Sequence, residues 1–255
     1  MRTDINALID RFTGESLKGW GADLAGVCLV GSAARGDFVE GFSDLDFVII
    51  LRSDDDGLRR RILLETRELK SLLEREHGIR FGVNYFSRSE LFSPARYPRV
   101  NPLAMHEFVS SSRSLWGRGL DEAALPKFES TAIRRFAAAD VLRARSILVD
   151  SIAHLRPSDE ASLKLAIRQS IWCTYRAAKA YLVAEGDLVT GRDATQERLE
   201  QVAPQLKLGY VPRRLSEIRN CWEEVRGHKA LLIEGLRDSI SFMDGLADRV
   251  RAVLN

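Results

Sequence analysis

Cysteine, histidine and methionine are scarce in this chain, at three, four and three of 255 residues. Cys28, Cys173 and Cys221 are odd in number and far apart. That excludes a disulfide framework and the paired spacing of a zinc site, and it fits buried thiols in a reducing, cytoplasmic setting. The histidines are scattered without ligand spacing. Long apolar runs are also missing. No stretch approaches the ~20 residues that cross a bilayer. Met1 to Asp10 carries Asp4 and Asp10 where a leader would need an apolar core, so neither a signal peptide nor a membrane partner is expected. Charge of one sign is absent too: 38 Lys and Arg against 36 Asp and Glu leave a formal net charge of +2. A nucleic-acid partner normally needs a dense basic patch. The tightest cluster here, Arg59 to Arg61, follows Asp54 to Asp56 and reads as a solvated helix start. Repeats and low-complexity segments are absent.

What is present is 45% hydrophobic and 29% charged, the balance of a globular chain with one large or two modest domains. It is organised around Val27 to Leu51. An apolar run, Val27 to Val30, meets a small-residue turn at Gly31 and Ser32, then Arg35 and Gly36. Ser43, Asp44 and Asp46 lead into a second apolar run, Phe47 to Leu51. Short apolar runs bounded by Gly and Ser read as buried strands. Strand side chains alternate, so Asp44 and Asp46 point to one side. Two bare carboxylates about 6 Å apart repel by roughly 3 kcal/mol at an effective dielectric near 20, so a chain that keeps them is expected to meet them with cations. Hard oxygen ligands favour Mg²⁺, which binds through one or two carboxylates plus substrate phosphates. Glycine lets backbone come close to a ligand, and amides at a turn entering a helix hold phosphate.

G-S-A-A-R-G-D followed by S-D-L-D resembles the signature of the nucleotidyltransferase superfamily typified by DNA polymerase beta: Gly-Ser, a loop, then Asp-x-Asp at a strand start. The likeness is strong over Val27 to Leu51 and weaker elsewhere. It implies a small mixed sheet with flanking helices, and transfer of a nucleoside monophosphate from a triphosphate to a hydroxyl. By that resemblance Asp44 and Asp46 hold Mg²⁺ or Mn²⁺ and carry catalysis, Gly31 and Ser32 grip the triphosphate, and Arg35 and Ser43 line its phosphate end. Arg35 also reads as a surface ion-pair residue. The superfamily carries a third acidic residue on the strand that is Arg80 to Phe86 here. This segment, R-F-G-V-N-Y-F, has no carboxylate. Asn84 is the best positional match and Gly82 the other. Three outcomes stay open: Glu90 or Glu107 swings in, the base comes from the second domain or the substrate, or the site binds nucleotide without turnover.

In chain order, Asp4 to Phe12 has helical spacing with Thr3 or Asp4 as N-cap. Strands are expected at about 25–30 and 45–51. A helix over about 58–76 follows a cap at 54–57, with Leu58, Ile62, Glu65, Leu69, Leu72 and Leu73 on its face and Gly78 past its end. Tyr97 and Pro98 interrupt the pattern, and Leu103 to Gly117 supplies a last helix or strand. His106 within it reads as packed or surface. The Gly-, Asp- and Pro-punctuated stretch from Gly117 to Pro126 places a boundary, giving domains 1–122 and 123–255. Beyond it the pattern is an all-α bundle of about five helices. Phe128 to Leu155 comes first, then a helix capped by Ser158 with Gly186 as its C′ residue. A short helix runs from Asp193 to near Pro204, another has Pro212 in its first turn and a break at Gly227, and a last spans His228 to Leu254.

The layout of Ala166 to Pro204 resembles the helical domain of bacterial aminoglycoside adenylyltransferases. That likeness implies ATP as substrate and a small aminoglycoside-like hydroxyl acceptor, of the kind met in antibiotic resistance, lying between the two domains. Lys179, Glu185, Asp187 and Arg192 are then candidates to face it. The alternatives are a nucleotide-binding regulatory or antitoxin-like module with a degenerate site, and an adenylyltransferase acting on protein. The sequence leaves the oligomeric state open.

Overall fold

A computed structural model of the chain describes residues 4–92, 102–120, 131–189, 191–202 and 210–254. It divides into two compact units, Met1–Pro126 and Lys127–Asn255. The stretch expected to hold the boundary, like Thr3, Tyr97, Pro98, Phe128 and Pro204, lies partly or wholly outside the described residues.

The first unit is built on a four-stranded sheet of order β3-β2-β1-β4. β1 (Leu24–Val30) pairs antiparallel with β2 (Leu45–Leu51) and with β4 (Arg113–Gly117), and β2 pairs parallel with β3 (Phe81–Ser87). The runs in β1 and β2 are nearly continuous in apolar residues because both faces of these strands are covered. On one face Val27, Leu29, Phe47, Ile49 and Phe81 pack with Leu8, Ile9 and Phe12 of α1 (Ile5–Trp20) and Ile62 and Leu73 of α3 (Asp56–His77). Phe12 sits with its ring centroid 4.2 Å from that of Phe47 and 5.6 Å from that of Phe81. On the other face Cys28, Val30, Val48, Ile50 and Phe86 pack with Leu91, Leu120 and the half-buried Phe108 and Val109.

The helices depart from expectation in instructive places. α1 runs on to Trp20 because Ser16 and Trp20 continue its buried face, while Gly14 and Gly19 sit in open space and leave the helix intact. Asp4 caps it, accepting from the amides of Asn6 and Ala7 at 3.0 and 3.2 Å. On α3 the buried positions are Ile62, Thr66 and Leu73; Leu72 is exposed. Glu65, a break in the apolar stripe, accepts a hydrogen bond from the Trp20 indole. Gly78 ends α3 in the left-handed region, φ 68°. α4 (Arg88–Phe92) follows β3, and the segment from Leu103 to Gly117, read as a helix or a strand, is both: α5 (Pro102–Ser111) and then β4.

The second unit has six helices among the described residues: α6 (Thr131–Ala153), α7 (Glu160–Ala184), α8 (Arg192–Val202), α9 (Tyr210–Asn220), α10 (Trp222–Val225) and α11 (Lys229–Leu254). α7 is capped by Asp159, one residue later than Ser158, because its longer carboxylate reaches the amides of Ala161 and Ser162. Its end is a Schellman turn: Gly186, at φ 97°, donates to Val183, and Asp187 donates to Leu182. The break expected at Gly227 lies between α10 and α11, and a further break at Cys221 separates α9 from the single turn of α10. Leu163, Ile167, Ile171, Tyr175, Ala178 and Leu182 are all buried along α7, with Val141 and Leu148 of α6 and Leu232, Leu236, Met243 and Val250 of α11.

Candidate active site

The sheet decides which carboxylate meets which turn. Val30, the last residue of β1, is paired with Asp46. The chain then bends at Gly31 into α2 (Gly31–Arg35), with Gly31 at φ 71°, in the left-handed region that favours glycine. Val30 occupies the N-cap and its side chain makes no hydrogen bond to the opening amides of α2. Asp46 lies directly against this bend. A Cβ placed on Gly31 would stand 2.6 Å from Asp46 Oδ2. The half-buried Asp46 carboxylate therefore fills the space that a side chain at 31 would need.

Asp44 stands at the head of β2, its side chain 32% exposed, with Arg80 Nε 4.0 Å from Oδ1. Ser43 closes the preceding loop: its hydroxyl accepts from the Val39 amide at 3.0 Å, and its own amide donates to the Val39 carbonyl at 2.8 Å. Phe42 is buried beneath that loop. Ser32 is buried at the start of α2. Arg35, at the end of α2, pairs with Glu107 Oε1 at 3.2 Å and Asp37 Oδ1 at 3.4 Å, which is the ion-pair role the sequence allowed it.

The third position of the site is set by strand register. In the parallel β2–β3 pair, Asp46 is beside Gly82, and Asn84 is beside Val48. Asn84 is exposed, one alternate position further along β3. Gly82, the second of the two sequence options, is thus the residue beside Asp46. Glu90 does not approach it. Glu90 follows the far end of β3, where it accepts from Arg59 at 2.7 and 3.2 Å and from the Ser87 amide at 2.7 Å. Glu107 is on the α2 side, engaged with Arg35. Its neighbour His106 is held below the ordinary imidazole range by burial, partly offset by the Glu107 charge. Among the described residues no three His, Cys, Asp or Glu side chains form a metal-binding group. Two carboxylates on alternate positions next to a glycine-serine bend fit a hard divalent cation that takes its remaining ligands from phosphate and water.

In the second unit, Asp187 accepts from Arg198 at 2.8 and 3.0 Å, Arg192 lies 5.5 Å over the Tyr175 ring, Lys179 is half-buried and Glu185 is exposed. Trp172 is the exposed aromatic of α7, at 47%, with the Arg176 guanidinium 4.8 Å from its ring centroid. Trp172 falls off the buried stripe of α7, and that spacing is the sequence signal for its exposure. No described helix is long and apolar enough to cross a membrane.

Comparison with known proteins agrees with this geometry. Residues 13–90 match the family model of the nucleotidyltransferase domain. No curated protein matches the sequence. Among solved structures, spectinomycin adenyltransferase AAD(9) from Enterococcus faecialis, crystallised with ATP and spectinomycin, superposes with a TM-score of 0.55 at 11% identity, covering 96% of this chain and 97% of that one. A nucleotidyltransferase-like protein from Exiguobacterium sibiricum 255-15 gives a TM-score of 0.29 at 11% identity, covering 95% of this chain and 78% of that one. The chain thus carries a nucleotidyltransferase domain over residues 13–90, in a fold it shares with the spectinomycin enzyme.

Proposed function

We propose that the protein is an adenylyltransferase that moves AMP from ATP to a hydroxyl of a small, aminoglycoside-like acceptor. The observation that carries the reading is the seating of Asp46 of β2 against Gly31, at the bend that opens α2. In this reading Asp44 and Asp46 would hold Mg²⁺ or Mn²⁺, which when bound would supply positive charge to offset that of the triphosphate. Gly31 and Ser32 present backbone amides to the phosphates at close range. Ser43 holds the loop that leads into Asp44, and Arg35 keeps α2 tied to α5 through Glu107. The acceptor hydroxyl attacks the α-phosphorus, the bond to the β-phosphate oxygen breaks, and pyrophosphate leaves. On the helical unit by itself, Trp172 is the exposed aromatic of α7, with the half-buried Arg176 guanidinium over its ring. A stacking ring suits the flat or apolar face of a sugar-like ligand.

The test is mass spectrometry and pyrophosphate release with ATP, Mg²⁺ and a panel of hydroxyl-bearing acceptors. An adduct heavier by AMP, formed with stoichiometric pyrophosphate, supports the reading. Absence of both with every acceptor overturns it. The lack of a carboxylate at Gly82 and Asn84 favours one second reading, a nucleotide-binding module without turnover. Calorimetry that shows Mg²⁺-dependent ATP binding in a chain that releases no pyrophosphate would select it.

A further inference from the structure

We infer that Glu107 of α5 is a positioning residue of the phosphate bend: it holds Arg35, and through Arg35 the single turn of α2, where the triphosphate meets Gly31 and Ser32. This rests on the reading of that bend as the seat of the triphosphate, and deepens it by adding a residue from another element.

α2 has little of its own to hold it. Its five residues make a single turn, far below the length at which a helix is stable alone. Backbone closes its end, where the amides of Gly36 and Asp37 both donate to the Ser32 carbonyl. Its one charged side chain is Arg35. Arg35 is 17% exposed and meets two carboxylates, Glu107 Oε1 from Nη1 at 3.2 Å and Asp37 Oδ1 from Nη2 at 3.4 Å. Asp37 is two residues along the same chain, so of the two only Glu107 ties α2 to another element. α5 is itself anchored: Phe108 and Val109 pack on Cys28, Val30, Val48 and Ile50. Asp46 alternates with Val48 and Ile50 along β2, so α5 lies on the sheet face that Asp46 shares. Arg35 stands one turn, ~5.4 Å, beyond Gly31 on the same face of α2, and helical side chains lean towards the N-terminus, here towards the bend. The guanidinium is held without being used up. Arg59 gives two nitrogens to Glu90, the closer at 2.7 Å. Arg35 gives one nitrogen to each of its acids, at distances longer than the ~2.7–2.9 Å of a tight charge-assisted bond, and Nε to neither. A phosphate at the bend therefore meets a donor that is already placed, and placing it beforehand lowers the entropy lost on binding.

The experiment compares wild type with Glu107→Met, Glu107→Gln, Arg35→Met and the Arg35→Met/Glu107→Met double variant. It reads the affinities of ATP and of AMP, with Mg²⁺, by displacement of a fluorescent ATP analogue below the thermal midpoint of each variant. Glu107→Met keeps the length of the side chain and removes its acceptor, so it is expected to weaken ATP about three- to tenfold and to leave AMP unchanged. Glu107→Gln keeps an acceptor at the same reach and should stay within about twofold of wild type for ATP. The double variant should match Arg35→Met, because Glu107 acts only through that guanidinium. The AMP affinity reports the fold, so the ratio of the two nucleotides stays informative even where the midpoint falls. The inference is overturned by ATP affinity that is unchanged or tighter in Glu107→Met, by equal losses for ATP and AMP, or by a further loss on adding Glu107→Met to Arg35→Met. Wild type that binds ATP no more tightly than AMP shows instead that the bend takes no phosphate, and then it is the reading of the site that fails.

Discussion

Removing either partner of the Asp140–Arg176 pair should destabilise the helical unit, and unequally. Arg176 of α7 donates to Asp140 of α6 through Nε and Nη2 at 2.8 and 2.5 Å. The Asp140 side chain is 2% exposed and that of Arg176 21%. Arg176→Met strips a buried carboxylate of its bidentate partner, a change that typically costs about 3–5 kcal/mol. Asp140 makes other contacts as well, which places the expected loss near ~3 kcal/mol. Asp140→Asn leaves a guanidinium that reaches water and still lies over Trp172, so about 1–2 kcal/mol is expected. The double change Asp140→Leu/Arg176→Met removes both charges and should lie within about 1–2 kcal/mol of wild type, well short of the sum. Urea unfolding followed by far-UV circular dichroism gives these differences from the midpoint at constant slope. A larger loss from Asp140→Asn than from Arg176→Met, or strictly additive losses, would refute the reasoning.

Other expectations follow from single positions. Asp44→Ala and Asp46→Ala should each reduce Mg²⁺-dependent ATP binding by calorimetry while leaving the urea midpoint of the fold in place; unchanged binding in both removes the acid pair from the site. Gly78→Ala meets nothing within 4 Å but sits at φ 68°, so it isolates backbone strain and should cost about 1 kcal/mol in urea unfolding. Thiol labelling at pH 8 should modify Cys221, which is exposed, and spare Cys28 and Cys173, which are buried. Burial pushes the Cys173 thiol up to about 11, so its thiolate is about one part in a thousand at pH 8 and grows only as pH rises towards that value. Rapid labelling of two or three thiols in the native chain contradicts that burial.

How much of this was legible beforehand depended on the range of the cause. Local chemistry wrote the elements into the chain. Apolar runs at 27–30 and 47–51 marked β1 and β2, Thr3 or Asp4 and the stretch 54–57 marked helix starts, and Gly78 and Gly186 marked helix ends, because caps and left-handed residues act over one turn of backbone. The glycine-serine bend and the acid pair were equally visible, since alternation along a strand fixes which side both carboxylates take. What periodicity missed was decided across elements. Glu65 is accommodated on α3 by the Trp20 indole, and Leu72 is exposed where the stripe had it buried. The separation of Glu90 from the acid pair depends on which end of β3 faces Asp46. The choice between Gly82 and Asn84 is the clearest case. Both lie on the same side of β3, so sequence alternation cannot rank them. Only the register of β3 on β2, a contact between strands 36 residues apart at Asp46 and Gly82, sets glycine beside the acid and asparagine beyond it. The sequence by itself determined the strands, the bend and the paired carboxylates; tertiary structure alone decided their neighbours, because register and packing come from surfaces that meet only when the chain is folded.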